Sequence, residues 1–87
     1  MLEGIKIMTN ERPMNAKTIL ANNLKQYRER VQISQEELAA RSDLSTRGYG
    51  KIERGEVRAS LGTLDKLSRG TGLTQAVLLQ VSQDELV

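Results

Sequence analysis

Arg47, Lys51 and Thr46 carry the groups in this chain best suited to recognition chemistry. A guanidinium can donate two parallel hydrogen bonds to O6 and N7 of a guanine, a contact that discriminates between bases by about 1–3 kcal/mol. Lys51 follows Arg47 by one helical turn on the same face, where its ammonium can read a base or touch a phosphate. Thr46 is as well placed but short, so capping and phosphate contact compete with base contact for its hydroxyl. Gln35 stands in the first turn of a separate helical segment, and the unpaired N–H groups of a helix N-terminus favour phosphate. Arg54, Arg58 and Lys17 are candidate phosphate clamps. Catalysis is poorly provided for: the chain has no cysteine and no histidine. A nucleophile and its base would have to come from Asp, Glu, Lys, Ser or Tyr, and no such pairing can be picked out, so no enzyme activity is expected. The same absence rules out disulfides and the usual zinc sites, and no metal or cofactor is expected.

These side chains need a frame, and the stretch from Ile33 to Gly55, ISQEELAARSDLSTRGYGKIERG, supplies one. Ser34 can accept a hydrogen bond from an orphan backbone N–H while Glu37 reaches back, the pattern of a capping box. Leu38 and Ala39 add a short apolar stripe, so a helix of about two turns fits here. Asp43-Leu44-Ser45 interrupts it with turn-prone polar residues around one apolar anchor. Ser45 is a second N-cap, and Thr46 to Arg54 can form a further short helix ending at Gly55. Two short helices joined by a turn of about three to four residues make a helix-turn-helix arrangement. Gly48 and Gly50 weaken the second of them, each costing about 0.8–1.0 kcal/mol relative to alanine. They read either as places of close backbone approach to a nucleic acid, Gly48 above all, or as a cause of distortion.

Outside this stretch the reading is simpler. A first helix is expected over about Thr18 to Arg30, with Leu20, Leu24, Tyr27 and Val31 on one face. A loop follows from Gly55 to Ala59. Ser60 then caps a fourth helix carrying Leu61, Leu64 and Leu67, which Gly70-Thr71-Gly72 ends. Thr74 caps a fifth that holds Val77, Leu78 and Val81. The expectation is an all-α fold, a compact five-helix domain over residues 16–81, with a flexible arm at 1–15 and a tail at 82–87. Its core is expected to contain Leu20, Leu24, Leu38, Leu44, Ile52, Leu64, Leu67 and Leu78, each worth roughly 1.5–3 kcal/mol when buried.

The pairing of Ser34-Gln35-x-x-Leu38-Ala39 with Ile52-Glu53-Arg54-Gly55 resembles the phage-repressor (lambda repressor and Cro, or XRE-like) helix-turn-helix family. The likeness runs from about Leu20 to Leu79. It implies a five-helix lambda-repressor-like domain, with the helix at about 46–54 entering the major groove and the preceding helix crossing the DNA backbone. It also implies that Gln35 bridges a phosphate and the recognition helix, and that Glu53 forms a structural ion pair with Arg28. The implied DNA-binding set is Gln35, Ser45, Thr46, Arg47, Gly48, Lys51, Arg54 and Arg58. Tyr49 and Thr71 stand where the family usually has aliphatic residues, which implies that Tyr49 packs inward.

Size and charge fit this reading. With 87 residues there is room for one small domain, and domains so small gain from self-association. The formal net charge is only +2, but residues 16 to 70 hold eleven Lys or Arg against seven Asp or Glu, while the last seventeen residues carry acid alone. A basic body with an acidic end suits a DNA face opposite a partner face. Apolar residues beyond core needs, Leu73, Val77, Val81 and Leu86, place a homodimer contact near the C-terminus. A dimer would read two half-sites of a palindromic or pseudo-palindromic operator. No apolar run is long enough to span a bilayer, and the N-terminus lacks a signal-peptide core, so the cytoplasm is the expected location. The functional expectation is a sequence-specific regulator of transcription, a repressor first of all. An alternative is an antitoxin or adaptor that binds a protein partner, a toxin or an antirepressor, and uses the same fold for autoregulation.

Overall fold

In a computed structural model, which describes residues 15–81, five helices follow one another: α1 (Ala16–Val31), α2 (Gln35–Arg41), α3 (Thr46–Glu53), α4 (Leu61–Thr71) and α5 (Gln75–Leu78). The expected arm and tail, and Leu86 with them, lie outside the described residues except for Asn15. Each helix begins on a short polar side chain that accepts from the backbone N–H three residues on: Asn15, Ser34, Ser45, Ser60 and Thr74. Such a cap satisfies one of the donors that a helix start leaves orphaned, at typically about 1 kcal/mol. Asn15 moves the start of α1 to Ala16, two residues before the expected Thr18. The box at Ser34 is only half made, because the Glu37 carboxylate accepts from Arg41 Nε one turn on, at 2.9 Å.

The core lies where the apolar stripes of the five helices meet. Leu20, Leu24, Leu38, Ala39, Tyr49, Ile52, Leu64, Leu67 and Leu78 are buried, and Tyr27, Ile33, Leu44, Ala59 and Leu73 pack against them. α3 packs on α1 and α2, α4 on α2, and α5 on α1 and α4. Three expectations need correction. Leu44 is half-buried rather than central, since it sits in the turn between α2 and α3. Val31 is 40 % exposed, because the chain turns at Gln32 into the left-handed region (φ 58°) and carries the helix end away from the core. Val81 is not part of α5. That helix ends at Leu78, and Asn23 of α1 donates from Nδ2 to the carbonyls of Leu78 (2.7 Å) and Gln80 (2.9 Å).

Helix α4 also ends differently from expectation. Only Gly72 takes the left-handed conformation (φ 78°) that stops it, whereas Gly70 lies within the helix. A Cβ on Gly70 would stand 2.1 Å from Ser42 Oγ and 3.0 Å from Ser42 Cα. Glycine is therefore required there by the approach of α4 to the end of α2. Thr71, in a usually aliphatic place, is buried but satisfied: its hydroxyl donates to Leu67 O (2.8 Å) and accepts from Leu73 N (3.1 Å). Among the described residues no helix is long and apolar enough to cross a membrane.

Candidate nucleic-acid interface

The turn between α2 and α3 is built by backbone bonds. Ser42 N donates to the carbonyls of Leu38 and Ala39, Leu44 N donates to Ala39 O at 2.9 Å, and Asp43 takes φ 57°. Aspartate is one of the few side chains that tolerate that region. Ser45 then accepts from Gly48 N at 3.0 Å and starts α3. On this helix Tyr49, Ile52 and Glu53 turn inward and are buried, so Arg47, Lys51 and Arg54, at spacings of four and three, fall along the outer stripe. Thr46 and Arg47 are exposed and Lys51 is half-buried.

α3 is continuous through both glycines. Gly48 is half-buried with its N–H engaged by the cap. Gly50 is buried inside the domain, with Arg54 and Gln35 as its nearest side chains. A Cβ at position 50 would stand 2.9 Å from the Arg54 guanidinium.

Behind the stripe lies a single carboxylate with four donors. Glu53 Oε2 accepts from Arg28 Nε (2.8 Å) and from the Tyr49 hydroxyl (2.8 Å). Glu53 Oε1 accepts from Arg28 Nη2 (3.0 Å) and from Gln35 Nε2. The side chain of Glu53 is only 4 % exposed. Burial alone would push its carboxyl up, but the donors from Arg28, Gln35 and Tyr49 outweigh burial and hold it below the usual carboxylate range. Burial, followed by the Glu53 carboxylate, pushes the Tyr49 phenol up, so it remains a donor. Arg28 is raised in turn, chiefly through its hydrogen bonds to Glu53, and also donates to Ile33 O at 3.1 Å. Three helices thus meet on one ion pair: Arg28 from α1, Gln35 from α2, and Tyr49 with Glu53 from α3.

The remaining cations divide into two groups. Arg41 pairs with Glu37, Lys66 with Asp43 and Arg69 with Asp65, all at the end of α2 and along α4. Arg54 is held by Glu56 at 2.7 Å, and its guanidinium keeps the Glu56 carboxyl below its ordinary range. Arg47, Lys51, Lys25, Lys17, Arg30 and Arg58 make no ion pair among the described residues. Lys25 shares a polar depression with Thr18, Arg28, Gln35 and Arg54. Lys17 and Arg58 flank a small apolar depression lined by Ala16, Leu20, Ala59, Leu64 and Leu79. Leu73 packs against the core, Val77 is 42 % exposed, and Leu61, at 79 %, is the most exposed large apolar side chain described.

Sequence reasoning missed three features: the Tyr49 hydroxyl on Glu53, the Arg54–Glu56 pair and the exposure of Leu61. The first two had local signals, a tyrosine one turn before a glutamate and opposite charges two apart across Gly55. Leu61 had none, because a three-residue repeat does not say which of its members faces out.

Comparison with known proteins agrees with this geometry. A helix-turn-helix family model matches residues 24–78. The chain is 40% identical to "Control protein C.MunI" from Mycoplasma sp over 65 residues, 74% of this chain and 88% of that protein. A crystal structure of a hypothetical transcription factor, NHTF from Neisseria, superposes with a TM-score of 0.76 at 28% identity, covering 87% of this chain and 90% of that one. The chain belongs to the helix-turn-helix family of the lambda repressor-like (XRE) type, a family of DNA-binding regulators of transcription.

Proposed function

We propose that this protein binds double-stranded DNA sequence-specifically, as a homodimer, and represses transcription from the site it occupies. One observation carries the reading. The outer stripe of α3 presents Arg47 and Lys51 outside any ion pair among the described residues, with Lys51 feeling only the Glu56 charge beyond contact, whereas the cations around the end of α2 and along α4 each form one. Unpartnered cations on a helix narrow enough for the major groove are what a base and phosphate reader needs. In this assignment Arg47 reads a guanine, Lys51 reads a base or holds a phosphate, and Ser45, Thr46 and Gly48 bring the start of α3 to the backbone. Gln35, anchored on Glu53, meets a phosphate at the start of α2. Arg54 exchanges Glu56 for a phosphate, and Arg58 adds a peripheral clamp.

Two copies would read half-sites about 34–36 Å apart, one helical turn of DNA. Val77 and Val81 lie on the dimer contact, with Leu86 further along. Leu73 supports it from beneath, since it is largely committed to the core. Leu79, 38 % exposed and next to the end of α5, adds apolar surface to that contact.

The test is DNA affinity at several salt concentrations, wild type against Arg47→Ala, on the fragment upstream of the protein's own gene and on a scrambled control. Arg47→Ala should cost about 1–3 kcal/mol on the upstream fragment and far less on the scrambled one. Equal weak binding of both fragments, with only a salt dependence, would reduce the interaction to phosphate contact and overturn the sequence-reading assignment.

A further inference from the structure

Tyr49 is wholly buried, and its hydroxyl donates to the Glu53 carboxylate at 2.8 Å. An aliphatic side chain would fill the same volume without placing a polar group in the core, and a buried hydroxyl is tolerated only when bonded. Glu53 must in turn hold two things with its other oxygen: Arg28 Nη2 and the amide of Gln35. A carboxylate is planar, so fixing Oε2 between Arg28 Nε and the Tyr49 hydroxyl also fixes where Oε1 stands. Through Oε1 it fixes the Gln35 amide at the first residue of α2.

We propose that Tyr49 is a positioning residue for DNA recognition: its hydroxyl orients the Glu53 carboxylate, which presents Gln35 to the DNA backbone. The proposal rests on the DNA-reading assignment above and deepens it. Tyr49 itself touches no DNA. The amide of Gln35 has two N–H donors. One is spent on Glu53, and the orientation this imposes decides where the other can go. The helix pair thus carries its alignment in a chain of hydrogen bonds from the core of α3 to the start of α2.

The test uses Tyr49→Phe in the full chain, which removes one oxygen and keeps the ring. On the upstream fragment its affinity should fall by about fivefold to tenfold, the scale of one such bond, and binding to scrambled DNA should weaken as well, because a phosphate contact is made whatever the sequence. In a Gln35→Ala background the same substitution should cost nothing further. In the free protein, the NMR titration midpoint of the Glu53 carboxyl should rise in Tyr49→Phe. That carboxyl faces Arg28 from α1, Gln35 from α2 and Tyr49 from its own helix, with Lys25 and Arg54 in the same depression.

Wild-type affinity in Tyr49→Phe, or an equal loss with and without Gln35, would make Tyr49 a packing residue and overturn the proposal. Should Tyr49→Phe not fold, Tyr49→Leu takes its place, and unfolding of both is likewise the result for mere packing. Failure of the wild type itself to prefer the upstream fragment would instead strike the DNA-reading assignment. The Glu53 titration would still report on the Tyr49 contact in that case.

Discussion

Helix α2 is fastened at its two ends by different physics. Its first residue, Gln35, is held by a hydrogen bond to a carboxylate that Arg28 and Tyr49 also engage. Its C-cap, Ser42, lies so close under α4 that Gly70 has no room for a side chain, and beside it Lys66 of α4 forms a long, exposed ion pair with Asp43 at 3.9 Å. The polar end specifies direction, since each bond has a preferred line, and it depends on a charge. The close end specifies distance and tolerates no added atom, and the exposed Lys66–Asp43 pair beside it contributes little. A helix pair that must be aligned for reading benefits from the polar kind on its reading side and from the steric kind behind it.

The largest effect is expected from breaking the polar end. Glu53→Ala strands the partly buried Arg28 and leaves Tyr49 and Gln35 without an acceptor. We expect a loss of about 3–5 kcal/mol in chemical denaturation, as for other broken buried pairs. Acid should reproduce part of this. Because the Glu53 carboxyl is depressed in the folded state, its contribution is fully present above the ordinary carboxylate value, about 4.3. It is lost as pH falls through the lower folded value, where the folded state must at last take up the proton. Glu53→Gln should flatten that acid limb relative to wild type. An unchanged acid limb in Glu53→Gln would show that Glu53 does not carry the pH dependence assigned to it.

The steric end should respond to size and not to pH. Gly70→Ala gains about 0.8–1.0 kcal/mol of helix propensity. It also forces Cβ onto Ser42 Oγ and close to Ser42 Cα, and overpacking of this kind typically costs about 1–3 kcal/mol. We expect net destabilisation, of the same size at pH 5 and pH 7. Combining it with Ser42→Ala should recover only part of the loss, since the main chain of Ser42 still crowds the new methyl group. A stabilised Gly70→Ala protein would mean that α4 can back away from α2 without cost.

The two ends were unequally legible in the sequence. Four of the five caps could be read because Ser34, Ser45, Ser60 and Thr74 announce themselves locally; Asn15 was taken into the arm. The inward turn of Tyr49 followed from the family resemblance, which puts a core residue at that position. The bond from Gln35 to Glu53 could not be read from spacing, because it joins two helices whose relative angle no local pattern fixes. Gly70 was misjudged for the same reason. Beside Thr71 and Gly72 it looks like part of a stop signal, and only the approach of Ser42 from another helix shows that it is there for space.

Ser42 provides the smallest and sharpest test. Its hydroxyl is the only buried side-chain polar atom among the described residues without a hydrogen-bond partner, while its backbone N–H already serves the end of α2. An unpaired buried hydroxyl is a desolvation cost with no return, on the order of 1–3 kcal/mol, though loss of its packing contacts takes some of this back. Ser42→Ala keeps the Cβ and removes only the orphan oxygen. It should therefore leave stability unchanged or raise it by up to about 1 kcal/mol in thermal or chemical denaturation, without altering DNA affinity. Marked destabilisation would mean that the hydroxyl finds a partner in solution, a water or a carbonyl, and that the contact of Ser42 itself with α4 is polar. The contrast between the two ends of α2 would then lose its basis, so this near-silent substitution is the one that decides whether it holds.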